Sequence, residues 1–213
     1  ADDREFRRMV GDYADPVGEG GFRAALAALL RAEYGWGGGP EHVALTAGSQ
    51  SGFFLLFNLL AGAAPGDRPI LLPLTPEYVG YQDLGVGGEL FTARRPAIET
   101  LPERFFKYHV DFDALADVGP VAAVSVSRPT NPSGNVLTDG EVARLAAFAR
   151  QRGVPFIIDG AYGLPFPRIV FTDAAAYWDD NTVLCLSLSK LGLPGVRTGI
   201  VVGPPELVAA LGA

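Results

Sequence analysis

The sequence predicts an α/β protein whose mostly parallel sheet carries helices on both faces. Three observations lead there. Short strand-like apolar runs alternate along the chain with stretches of helical length. Hydrophobic residues make up 48% of the 213 residues and charged ones 19%, enough to bury a substantial core in one large domain and too apolar for extensive disorder. Residues capable of chemistry, namely Asn131, Asp159, Ser187 and Lys190, fall just after apolar runs, at the strand ends where open α/β sheets bind ligands.

The first element is a helix over residues 22–33, with Phe22, Leu26, Leu29 and Leu30 at helical spacing. Strands follow at 43–45, 69–73, 89–92, 121–127, 154–159, 182–187 and 198–202. Helices fill the intervals at 51–61, 76–84 and 138–152, the last capped by Thr138 or Asp139. A short helix-like run covers 205–213. No internal repeat or low-complexity linker interrupts the series.

Composition excludes several function classes. A net charge of −7, with no block of basic residues, argues against a broad surface for nucleic acid or anionic membrane. Any phosphate must be held by local geometry. The lone Cys185, set between Leu184 and Leu186, cannot form an internal disulfide and reads as buried filler. It favours a reducing compartment, and a cytoplasmic location is expected. No apolar run approaches the ~20 residues that span a bilayer, and the opening Ala1-Asp2-Asp3-Arg4 does not look like a signal peptide. His42 and His109 lack neighbours at ligand spacing, so no metal site is expected.

Lys190 is the first candidate for covalent chemistry. Arginine is the default cation here, lysine occurring only as Lys107 and Lys190 among 17 Lys and Arg. A guanidinium stays protonated, whereas a partly desolvated amine can attack an aldehyde and hold it as a Schiff base. Lys190 closes the run Leu186-Ser187-Leu188-Ser189, and Pro194-Gly195 then turn the chain so that Arg197 can fold back. Ser187, Ser189 and Arg197 are thus hydroxyls and a cation able to hold a phosphate dianion. A lysine facing solvent at a strand end is the plainer reading.

Other segments can serve the same site. Gly48, Ser49 and Gln50 precede an apolar helix, whose start exposes free amides and a positive dipole end to an anion; an N-cap serine is the alternative. Asn131, within Arg128-Pro129-Thr130-Asn131-Pro132, has an amide that can be fixed towards a ligand or spent on an Asx turn. Asp159 ends the strand Phe156-Ile157-Ile158, where a carboxylate needs a partner: a ring N–H is one, a following helix or turn another.

Taken in chain order, these segments resemble the fold-type-I pyridoxal-phosphate aminotransferases: Gly48-Ser49-Gln50, Tyr78, Asn131, Asp159-x-x-Tyr162, then Ser187-x-Ser189-Lys190 and Arg197. The similarity runs from about Tyr13 to the end. It implies pyridoxal 5′-phosphate (PLP) as cofactor, bound to Lys190. Tyr78 would stack on its ring, while Asn131 and Tyr162 hydrogen-bond its phenolic oxygen and Asp159 its ring nitrogen. The phosphate would lie among Ser49, Gln50, Ser187, Ser189 and Arg197. The family more often has Thr where this chain has Ser133. The resemblance further implies an antiparallel final strand, and a Tyr13 that reaches the partner's phosphate in a homodimer, although its Gly/Asp/Pro-rich surroundings also fit a plain loop. By the same likeness, residues 1–213 are a PLP-binding large domain incomplete at both ends, with the substrate-carboxylate arginine outside them. The implied reaction is transamination between an amino acid and a 2-oxo acid, the pair being valine or alanine with pyruvate or 3-methyl-2-oxobutanoate. A PLP-dependent lyase or decarboxylase, or the effector-sensing domain of a transcription regulator, remain open at this point.

Overall fold

In the computed structural model, residues 3–62 and 68–213 are described. Helices α1 (Asp3–Gly11) and α2 (Gly20–Tyr34) lead into β1 (Val43–Thr46) and α3 (Ser49–Ala61). Then come β2 (Ile70–Leu72), β3 (Phe91–Ala93) and a two-stranded antiparallel hairpin, β4 (Ala97–Thr100) with β5 (Phe106–His109). The second half alternates β6 (Ala123–Ser127), α4 (Asp139–Gln151), β7 (Phe156–Asp159), β8 (Thr182–Ser187), β9 (Gly199–Val202) and α5 (Pro205–Leu211).

Seven strands form one sheet in the order β1-β9-β8-β7-β6-β2-β3. All are parallel except β9, which runs antiparallel to both its neighbours. The expected α/β class and the reversed last strand are both present.

Alternate residues of each central strand enter opposite cores, as the two-residue period of a strand requires. Phe156, Ile158, Leu184 and Leu186 pack with Leu26 and Leu30 of α2 and Val142 and Leu145 of α4. Ile157, Val183 and Cys185 pack instead with Phe53, Leu56 and Phe57 of α3. Cys185 is buried filler, 1% exposed. A capping box starts α4: the Thr138 hydroxyl accepts from the Glu141 amide at 3.2 Å, and the Glu141 carboxylate accepts from the Thr138 amide at 2.8 Å.

One expectation needs correction, and two elements lie outside those the sequence predicts. Residues 76–84 do not form a helix; only a single 3₁₀ turn, Val79–Tyr81, is present. Continuing the helix would pull Tyr81 out of its buried place among Phe53, Phe57 and Phe91. It would also draw the Gly80 carbonyl away from the Gln50 amide, which donates to it at 2.5 Å. The β4–β5 hairpin was not anticipated, because β4 is exposed along its whole length and its one large apolar residue, Ile98, gives no periodic pattern. Helix α1, likewise not anticipated, is short, polar and exposed along the face described.

Candidate active site

The carboxyl ends of β6, β7 and β8 lie side by side, with Ser127 level with Asp159 in the register. They open into a cleft of about 350 Å³. Its lining brings together ten of the residues singled out in the sequence. Ser49 and Gln50 come from the first third of the chain, Tyr78 and Asn131 from the middle, and Asp159, Tyr162, Ser187, Ser189, Lys190 and Arg197 from the last third.

One end of the cleft is built to take an anion. Gly48 is the N-cap of α3 at φ 89°, and Ser49 and Gln50 supply the first amides of that helix. Such amides have no intrahelical acceptor. Arg197 adopts the left-handed region, φ 47° and ψ 51°, and its guanidinium donates to the Ser189 hydroxyl at 3.2 Å. A Cβ on Gly48 would sit 2.3 Å from Arg197 Nη2, so the missing side chain is what lets the cation lie against the helix start. Gly199 has the same part on β9, where a Cβ would meet the Ser49 amide nitrogen at 2.4 Å. Ser187 is buried, and its oxygen accepts from the Ser189 amide at 3.2 Å.

The side chain of Gln50 is turned to the Gly80 carbonyl, so its backbone amide is its contribution to the anion end. Lys190 sits in the 3₁₀ turn Ser189–Leu191, exposed, with Nζ 5.1 Å from the centroid of the Tyr162 ring. Asn131 lies in a loop closed by the Gly134 amide on the Thr130 carbonyl at 2.7 Å and the Thr130 amide on the Asn135 carbonyl at 2.9 Å. The backbone beneath its side chain is thereby fixed. Tyr13 is in none of this. It is fully exposed at 106%, in the loop between α1 and α2, and is absent from the cleft lining.

At the opposite end Asp159 is 7% exposed. Its Oδ1 accepts from the Ala161 amide at 2.9 Å and its Oδ2 from the Tyr81 hydroxyl at 2.5 Å. Burial raises its pKa despite these donors. Two contributors had escaped the sequence reading. Tyr81 packs on Phe53 and Phe57, as an aromatic in an apolar setting would, yet it also donates to Asp159. Glu77 had not been singled out. Its carboxylate accepts from the Ser127 amide at 2.9 Å and hydroxyl at 2.5 Å, and burial, with a smaller contribution from the charge of Asp159, pushes it up to about 7. The only signal was its place beside Tyr78 in Thr75-Pro76-Glu77-Tyr78.

A larger cleft of about 790 Å³ lies across the Asn131 loop, between the hairpin end around Arg104–Lys107 and residues 169–173. It shares Pro129, Asn131 and Tyr162 with the first but holds neither the strand-end carboxylate nor Lys190, so the chemistry belongs to the smaller one. Among the described residues no group of His, Cys, Asp and Glu is arranged for a metal ion, and no helix is long and apolar enough to cross a membrane.

The chain is similar to known proteins along nearly its whole length. The valine–pyruvate aminotransferase of Escherichia coli (strain K12) is 50% identical over 202 residues, covering 94% of this chain and 48% of that protein. Its counterpart in Mycobacterium tuberculosis is 30% identical over 93% of this chain and 50% of its own length. The crystal structure of valine-pyruvate aminotransferase from Salmonella typhimurium LT2 superposes with a TM-score of 0.86 at 47% identity, covering 98% of this chain and 53% of that one. The chain therefore spans about half the length of the relatives it matches. A family model for aminotransferase class I and II matches residues 3–213, and the chain belongs to that family.

Proposed function

We propose that this chain is the cofactor-binding large domain of a PLP-dependent aminotransferase acting on valine or alanine and on pyruvate or 3-methyl-2-oxobutanoate. The observation that carries the reading is the meeting, in one cleft, of an anion cradle, a primary amine and a buried strand-end carboxylate. The donor set fits PLP. Gly48 and Gly199 let Arg197 and β9 lie close against the start of α3, so that the cation and the free helix amides would face a phosphate together. Asp159 offers a desolvated acceptor for a ring N–H, and Asn131 and Tyr162 offer donors to a phenolate.

When bound, PLP supplies an aldehyde for an amine and a ring that takes up the electron pair of a breaking Cα–H bond. The residues of this chain do the rest. Lys190 provides the tethering amine. With its amine free, Lys190 Nζ would take the substrate α-proton as base and return it as acid. Asp159, ionised against a ring N–H, keeps that proton in place. Ser49, Ser187, Ser189 and Arg197 anchor the phosphate end. Valine and pyruvate follow the names of the relatives, and alanine and 3-methyl-2-oxobutanoate are the products of amino exchange between them. A homodimer completed by Tyr13, and a cytoplasmic location, belong to the same proposal.

Borohydride reduction of the loaded parent protein, followed by peptide mapping, is expected to place the pyridoxyl label on Lys190. A label on Lys107, or none, would overturn the assignment.

A further inference from the structure

Two carboxylates, not one, lie at the strand ends below the cleft. Asp159 ends β7, and Glu77 reaches the end of the adjacent β6, where it holds both the amide and the hydroxyl of Ser127. Between the two acids stands Tyr81, whose hydroxyl is 2.5 Å from Asp159 Oδ2 and 3.4 Å from Ser127 Oγ. The four groups form a chain: Glu77, Ser127, Tyr81, Asp159. Ser127 and Tyr81 each have one hydroxyl proton, so the direction of the chain is limited by counting. With Glu77 ionised, Ser127 must give its proton to Glu77, and Tyr81 is left to give its own to Asp159. With Glu77 protonated, Ser127 Oγ can accept instead, and its hydroxyl turns towards Tyr81.

Glu77 does not line the cleft and touches no ligand position, so its influence must pass through these hydroxyls and through its charge. Titratable or charged groups facing this pair come from every side. Tyr81 lies on the 3₁₀ turn; Cys185, under Asp159, is on β8; Lys190 and Arg197 are across the cleft. Glu77 is the only one of these that adds a second negative charge beside Asp159.

We infer that Glu77 is a positioning residue for Asp159: through Ser127 it decides whether the Tyr81 hydroxyl that donates to Asp159 itself receives a hydrogen bond, and its charge strengthens the hold of the site on a ring N–H. The inference rests on the proposed PLP reading and deepens it. Glu77→Gln removes the charge and, by donating from its amide to Ser127 Oγ, turns the Ser127 hydroxyl towards Tyr81. Both changes favour loss of the ring proton.

The test follows the ring nitrogen and not turnover. The full-length parent is loaded with PLP ¹⁵N-labelled in the ring, and the nitrogen resonance is recorded across pH for wild type, Glu77→Gln and Asp159→Asn. Glu77→Gln is expected to lose the protonated signal about one pH unit below wild type, a tenfold weaker hold on the proton. A merely structural Glu77 would alter stability and leave that signal where it was. Equal signals in wild type and Glu77→Gln from about pH 6 to 9, with Asp159→Asn clearly altered, overturn the role of Glu77 alone. Absence of label on Lys190 in wild type overturns the functional reading and this inference with it. Should Glu77→Gln not fold, Glu77→Met removes the same charge and frees the Ser127 hydroxyl to turn towards Tyr81: a shift in the same direction supports the inference and an unchanged signal overturns it.

Discussion

Among individual residues, Glu77 and Asp159 are carboxyls that the fold takes out of water. Both are raised by burial, and Glu77 to about 7. The sign of its effect on stability follows. Below the unfolded value of 4.5 the group is protonated in both states and costs nothing. Between 4.5 and about 7 the unfolded chain releases the proton while the folded one keeps it, so stability falls as pH rises through that window. The span corresponds to roughly 3 kcal/mol. Urea unfolding of the cofactor-free protein is therefore expected to show wild type losing stability from pH 5 to 8, part of it through Asp159, and Glu77→Gln losing less by up to ~3 kcal/mol. Equal losses in the two proteins would remove Glu77 from this account. None of this was legible in the sequence. Asp159 could be found because it ends an apolar run, whereas Glu77 becomes a neighbour of Asp159 only through the pairing of β6 with β7.

The elements reproduce most of what their sequences foretell. Helix α4 starts where Thr138 and Glu141 can cap each other, and the strands that carry Ser127, Asp159 and Ser187 end at those residues. What could not be foretold was the 3₁₀ turn at Val79–Tyr81, which is fixed by contacts with residues far away, Gln50 and Asp159. The approach of β9 to α3 is of the same kind. A Cβ on Gly199 would lie 2.4 Å from the Gly48 carbonyl carbon and 2.6 Å from Thr46 Oγ1, and backbone cannot yield as a side-chain tip does. Gly203, following the same strand, is different: its Cβ would meet only Val183 at 3.4 Å or more. Gly199→Ala is expected to cost about 1–3 kcal/mol and to weaken PLP binding, while Gly203→Ala should change PLP affinity little. Equal PLP affinities in the two variants would mean that the close approach does not shape the anion end.

For the molecule as a whole, the exposed Tyr13 poses the question of assembly. Its ring makes no part of the cleft in its own chain, which suits a residue that serves a second subunit. A symmetric dimer would give two equivalent sites, each completed by the other chain. Full-length Tyr13→Ala and Lys190→Ala, each impaired alone, are then expected to regain activity on subunit exchange, because one site of the heterodimer has both groups intact. No recovery despite proven heterodimers, with Tyr13→Ala itself impaired, would assign Tyr13 to its own subunit.

The insertion of β9 between β1 and β8 has a kinetic consequence. Val43 pairs with Val202 and Thr46 with Gly199, contacts between residues far apart in the sequence. Closing so long a loop is entropically slow, and sheets built on such contacts form late. Arg197 and the start of α3 meet only across this closure. The proposed phosphate seat would thus become competent after β6, β7 and β8 can already have paired, and cofactor capture would mark the closing of this sheet.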